Sequence, residues 1–171
     1  MKRILTLTLA ALGFALTASA QKFALIDMEY IMSNIPAYER ANEQLNQVSK
    51  KWQAEVEAID KEAKTLYKNY QNEAVFLSDT QKKEREQAII DKEKEASELK
   101  KKYFGPEGEL FKKRESLVQP IQDEIYNAIK TIADSKGFQL ILDRASETSG
   151  IIFASPAIDI SNDVLSRLGY N

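Results

Sequence analysis

The sequence predicts an α+β protein: a long antiparallel helical hairpin, a coiled-coil arm, projecting from a small β-body that is completed by association of chains. Three observations predict it. Apolar residues recur every seven positions through the middle of the 171-residue chain, the pattern of a helix–helix seam. Short β-rich apolar runs fall only near the two ends. The chain holds just 6 Gly and 4 Pro, which favours long regular elements over loops.

The first twenty residues stand apart from the fold. "MKR" is a basic n-region, "ILTLTLAALGFALT" an apolar h-region, and Ala18, Ser19 and Ala20 form an A-x-A cleavage site before Gln21. This is the pattern of a secretory signal peptide; the h-region is too short to be a comfortable membrane span. The mature chain is therefore expected in the bacterial envelope, in the periplasm. With no Cys anywhere, it carries neither a lipoprotein anchor nor a disulfide.

Charge and composition exclude several functions. Removing Lys2 and Arg3 leaves 22 basic and 26 acidic residues, a net charge of −4; nucleic-acid binders usually carry a basic face. There is no His. The commonest soft metal ligands and the usual neutral-pH general acid–base are thus absent. No nucleophile, base and orienting group converge in the sequence, so no catalytic, cofactor-binding or metal-binding residue is assigned.

Residues 21–36 open the body. Lys22 to Asp27 predict a short buried strand, and the following "MEYIMSN" a short helix or turn. Because the residue before a proline avoids helical dihedrals, a new helix is expected to begin near Pro36 or Ala37. The predicted arm spans 37–136. In its ascending half, Leu45, Trp52, Ile59 and Leu66 interleave with Val56, Ala63, Tyr70 and Leu77 at steps of three and four. The arm's tip is placed near 78–80, with Ser78, Asp79 and Thr80 as cap types; Thr80 is followed by Lys83, so no capping box is expected. The descending half carries Ile89, Ala96, Tyr103, Leu110 and Leu117, with a neighbouring stripe of Phe104, Phe111, Val118, Ile125 and Ile132. Two such helices joined by a few residues must run antiparallel.

Residues 137–171 return to the body. Gly137 suits the position after a helix C-terminus. "FQLILD" (138–143) and "IIFA" (151–154) predict two strands, and Ser161 to Gly169 a capped final helix. Three short strands make little sheet for one chain, so the body is expected to form by oligomerisation. Phe23, Leu25, Leu140, Leu142 and Ile152 are its candidate residues.

The mature chain resembles the Skp (OmpH-like) family of periplasmic chaperones. The residues that carry the resemblance are "FALIDMEYIM", the hairpin, "FQLILD" and the tail "IIFASPAIDISNDVLSRL", in which Asp159, Ile160, Ser161, Val164, Leu165 and Leu168 match the family's tail element. The resemblance implies a homotrimer whose arms enclose a cavity. It also implies that unfolded outer-membrane β-barrel proteins are held there without ATP or any cofactor, and that no catalytic residue is needed. Some relatives have strongly basic arms. Here residues 50–102 hold 13 basic and 12 acidic side chains, a net of +1, so contact with anionic membrane is expected to be weak and peripheral at most.

Gly105, Pro106 and Gly108 interrupt the descending helix, opposite roughly Ala54 to Ile59. They form a candidate hinge; the alternative is a static kink or a loop that corrects the seam register. Pro120 is expected to add a fixed kink. Trp52, Tyr70 and Tyr103 belong on the seams. Tyr67, Val75, Phe76, Ile90, Phe104 and Phe111 lie partly off them and are candidate client contacts. The rival function is a structural or adaptor coiled-coil protein of the envelope.

Overall fold

The computed structural model describes residues 22–146 and 148–170; the segment assigned to a signal peptide lies outside them. The chain divides into two compact units. Met32–Glu124 form one, and the remaining described residues form the other. The element order is β1 (Lys22–Ile26), α1 (Met28–Ser33), α2 (Pro36–Glu73), α3 (Asp79–Phe104), α4 (Glu109–Lys136), β2 (Phe138–Asp143) and α5 (Ser161–Leu168). Short 3-10 turns cover Ala74–Phe76 and Pro156–Ile158.

In the helical unit, Ile35 is extended and Pro36 occupies the first turn of α2, as the steric rule for pre-proline residues requires. The 38 residues of α2 span roughly 57 Å at 1.5 Å per residue. Ala41, Leu45, Val56 and Ala63 are buried along it, and Ile89 and Ala96 along α3. Trp52, Ile59, Leu66 and Tyr70 are only half-buried, because two helices alone cannot enclose a wide apolar stripe.

The tip differs from the expectation. Helix α2 ends at Glu73, a 3-10 turn covers Ala74–Phe76, and α3 begins at Asp79. Ser78 is the N-cap, and a capping box is present: its Oγ accepts from the Gln81 N–H at 3.3 Å, and the Gln81 Oε1 accepts from the Ser78 N–H at 3.0 Å. The expectation of no box came from counting from Thr80; the partner three residues after Ser78 is a glutamine. The earlier end of α2 also slides the antiparallel register. Tyr103 meets Trp52 and Glu55, while Leu110 lines a groove with Leu45, Asn46 and Ser49. The interruption thus lies opposite the turn around Ser49 to Trp52, not Ala54 to Ile59.

Beyond the interruption, burial passes to the neighbouring stripe. Leu117 is half-buried, whereas Val118, Ile121, Ile125, Ala128 and Ile132 are buried. The non-helical turn at 105–108 separates the two helices, so the seven-residue register of α3 does not carry over into α4. Helix α4 runs through Pro120 without a break.

In the second unit, β1 and β2 pair in parallel, with Phe23 opposite Leu140 and Leu25 opposite Leu142. A parallel pair needs a long crossover connection, and the helices between the strands supply it. Residues 151–155 form no strand, which corrects the predicted third strand. The edge of β1 is instead taken by the tail: Leu25 makes an isolated parallel bridge with Asp159, and the Ile160 N–H donates to the Leu25 carbonyl at 2.9 Å. The buried core of this unit includes Ala24, Leu25, Ile26, Ile31, Ile125, Ile132, Ile160, Val164 and Leu165. Gly137 and Gly169 take φ of +72° and +86°, ending α4 and α5 in the left-handed conformation that favours glycine. Ile160, not Ser161, is the N-cap of α5; Ser161 is its first residue.

Candidate functional site

All six residues singled out for their position off the seams are exposed in the helical unit. The exposed fractions are 51% for Tyr67, 82% for Val75, 85% for Phe76, 55% for Ile90, 37% for Phe104 and 52% for Phe111. Four of them follow a seam residue by one: Tyr67 after Leu66, Ile90 after Ile89, Phe104 after Tyr103 and Phe111 after Leu110. One residue is about 100° of helix rotation, which puts a side chain on the flank of the seam, where a two-helix structure has nothing to cover it. Val75 and Phe76 are exposed for a different reason, because a 3-10 turn at a hairpin tip points them away from both helices. Phe111 shares an open groove of roughly 440 Å³ with Met32, Tyr38, Val118 and polar residues.

The hairpin is closed by polar contacts at the same levels. The rings of Trp52 and Tyr103 stack, with centroids 4.7 Å apart and planes inclined by 6°. The Tyr103 hydroxyl donates to Glu55 at 2.7 Å. That hydrogen bond raises the phenol's pKa above its ordinary value, with desolvation second. Nearer the tip, the Tyr70 hydroxyl donates to Glu86, which raises its pKa in the same way. Lys92 contacts Glu95 at 2.9 Å and Glu62 at 3.0 Å. Its pKa is raised first by the Glu95 hydrogen bond, then by Glu62. Sequence periodicity found the aromatic partners but not these charged ones, since a lysine at a seam position looks like any other surface charge.

In the unit that holds the sheet, Phe23, Leu140 and Leu142 are exposed at 56%, 53% and 42%, and Ile152 fully. Leu25 lies in the chain's own core at 4%, because the tail covers it. Phe153, passed over in the sequence, is 86% exposed beside Ile152; both belonged to the run expected to be a strand. A polar network fastens the tail. The Ser161 hydroxyl accepts from the Asp27 N–H at 2.8 Å and donates to Asp159 at 2.6 Å. Arg144 bridges Asp27 and Asp159 at 3.2 and 3.1 Å. Asp143 accepts from the Met28 and Ala145 N–H groups.

Among the described residues, no group of three or more Asp, Glu, His or Cys side chains could hold a metal ion. Among the same residues, no helix is long and apolar enough to cross a membrane. What the hairpin does carry is a set of separate, exposed apolar side chains along its flanks and tip.

Known proteins resemble this chain in sequence and in fold. Residues 22–168 match the family model described as outer membrane protein (OmpH-like), and the chain belongs to that family. It is 24% identical over 165 residues to the chaperone protein Skp of Yersinia enterocolitica, covering 93% of this chain and 95% of that one. A crystal structure of an OmpH-like protein from Caulobacter crescentus CB15 superposes with a TM-score of 0.67 at 12% identity, covering 88% of this chain and 85% of its own. That likeness is one of fold.

Proposed function

We propose that this protein is a periplasmic holdase. It binds unfolded outer-membrane β-barrel proteins without ATP, in a cavity between the helical arms of a homotrimer, and keeps them from aggregating before membrane insertion. The observation that carries this is the set of large apolar side chains left exposed along a hairpin whose seam is only partly buried. Scattered apolar contacts of a few residues each give broad, reversible binding, while a contiguous patch would give a fixed partner or self-aggregation. Family membership and the likeness to Skp support the reading. Phe23, Leu140, Leu142 and Ile152 are the residues we assign to contacts between copies, since a two-stranded sheet with an exposed apolar face is too small to stand uncovered.

The test is to dilute a urea-unfolded outer-membrane β-barrel protein into buffer with and without the mature chain, with no nucleotide, and to follow turbidity. Suppression near one trimer per client is the expected result. Unchanged turbidity sinks the holding function and brings forward an adaptor role in the envelope.

A further inference from the structure

We propose that Gly105–Gly108 is a preformed rigid joint between α3 and α4, in which both glycines are required by space and not by flexibility. Three observations carry this. First, three backbone hydrogen bonds hold the turn. The Gly105 N–H donates to the Lys101 carbonyl at 2.9 Å, the Gly108 N–H to the Gly105 carbonyl at 2.9 Å, and the Lys112 N–H to the Gly108 carbonyl at 3.1 Å. One bond ties the turn to the helix it leaves, one closes it, and one ties it to the helix it enters. Pro106 and Gly108 stand second and fourth in the turn, positions that favour those residue types.

Second, the turn is packed backbone against backbone. A Cβ on Gly105 would lie 2.4 Å from the Lys101 carbonyl oxygen. A Cβ on Gly108 would lie 2.8 Å from the Tyr103 oxygen and 2.9 Å from the Lys102 oxygen. Neither glycine has a positive φ, so backbone freedom is not what selects it. Third, the residue two before the turn is immobilised. Tyr103, whose carbonyl packs on Gly108, is stacked on Trp52 and hydrogen-bonded to Glu55. A hinge needs few contacts and solvated amides; here Gly108 is buried and both glycine amides are hydrogen-bonded.

The joint and the holding function stand separately, because the joint is tested without a client. The experiment uses the full mature chain. A flexible glycine replaced by alanine stabilises a protein slightly, through the unfolded state. A packed one destabilises it, so the two cases differ in sign. For Gly108→Ala the expected result is a fall in Tm of about 3 °C or more. An unchanged or raised Tm overturns the proposal. Amide hydrogen exchange on the unmutated protein gives the second readout. The Gly105, Gly108 and Lys112 amides are expected to exchange at least about 100-fold slower than in an unstructured peptide, as hydrogen-bonded amides in stable structure do. Exchange at the unstructured rate overturns the proposal even if Gly108→Ala fails to fold.

Discussion

The indole of Trp52 lies flat against the phenol ring of Tyr103, 4.7 Å from centroid to centroid, and the Tyr103 hydroxyl continues across to Glu55. The pair joins the two helices of the hairpin just before the interruption in the second. A stacked aromatic pair contributes about 0.5–1.5 kcal/mol beyond its buried area. A double-mutant cycle of Trp52→Ala and Tyr103→Ala should therefore show a coupling energy of that size in urea unfolding. Additive losses would mean that the rings fill space without interacting.

The two tyrosine–glutamate bonds set an alkaline limit. Tyr70 and Tyr103 both have folded-state pKa values raised above 10.0, chiefly by hydrogen bonds to Glu86 and Glu55. A raised pKa means that the folded state holds the proton more tightly. Its stabilisation is complete below the ordinary value and is lost as pH climbs through the folded value. The Tm of the protein should fall as pH rises past 10, and Tyr70→Phe with Tyr103→Phe should flatten that fall. An equally steep fall in the double variant would place the alkaline sensitivity elsewhere, on Lys92 first.

Ser161 is the one buried polar side chain among the described residues. Its hydroxyl satisfies the Asp27 N–H, at the start of α1, from the start of α5. Ser161→Ala leaves that donor without its partner, at a cost of about 1–3 kcal/mol, while Asp159 Oδ1 keeps the backbone N–H of residue 161. Urea unfolding measures it, and Ser161→Thr should recover most of the loss. A loss below about 0.5 kcal/mol would mean that water replaces the hydroxyl.

The tip separates binding from stability. Val75 and Phe76 are more than four-fifths exposed, and surface substitutions of that kind usually change stability by less than about 0.5 kcal/mol. Val75→Ser with Phe76→Ser should leave the Tm in place and raise the amount of chaperone needed to suppress client turbidity. An unchanged requirement would remove the tip from the client-contact surface.

Periodicity made the hairpin legible, because apolar residues at heptad spacing can be buried in only one way along a pair of helices. It also identified the flank residues, each one step from a seam. Local chemistry that depends on a single residue's partner was not legible. The capping box was missed because three adjacent residues, Ser78, Asp79 and Thr80, all look like caps, and the choice among them fixes where α2 stops. "IIFA" has a strand's composition, yet composition says nothing about whether a partner edge is available; the edge of β1 is held by the tail at Asp159. The Arg144 network joins residues more than a hundred positions apart, Asp27 among them, a relation that no spacing rule contains.

The exposed Ile152 and Phe153 have a consequence for dosage. Under the proposed function, a chain not yet joined to others displays the kind of surface that the protein recognises in its clients. Its own subunits then rank among its ligands. Overproduction need not raise capacity in proportion, since surplus subunits occupy the sites meant for cargo until they find partners.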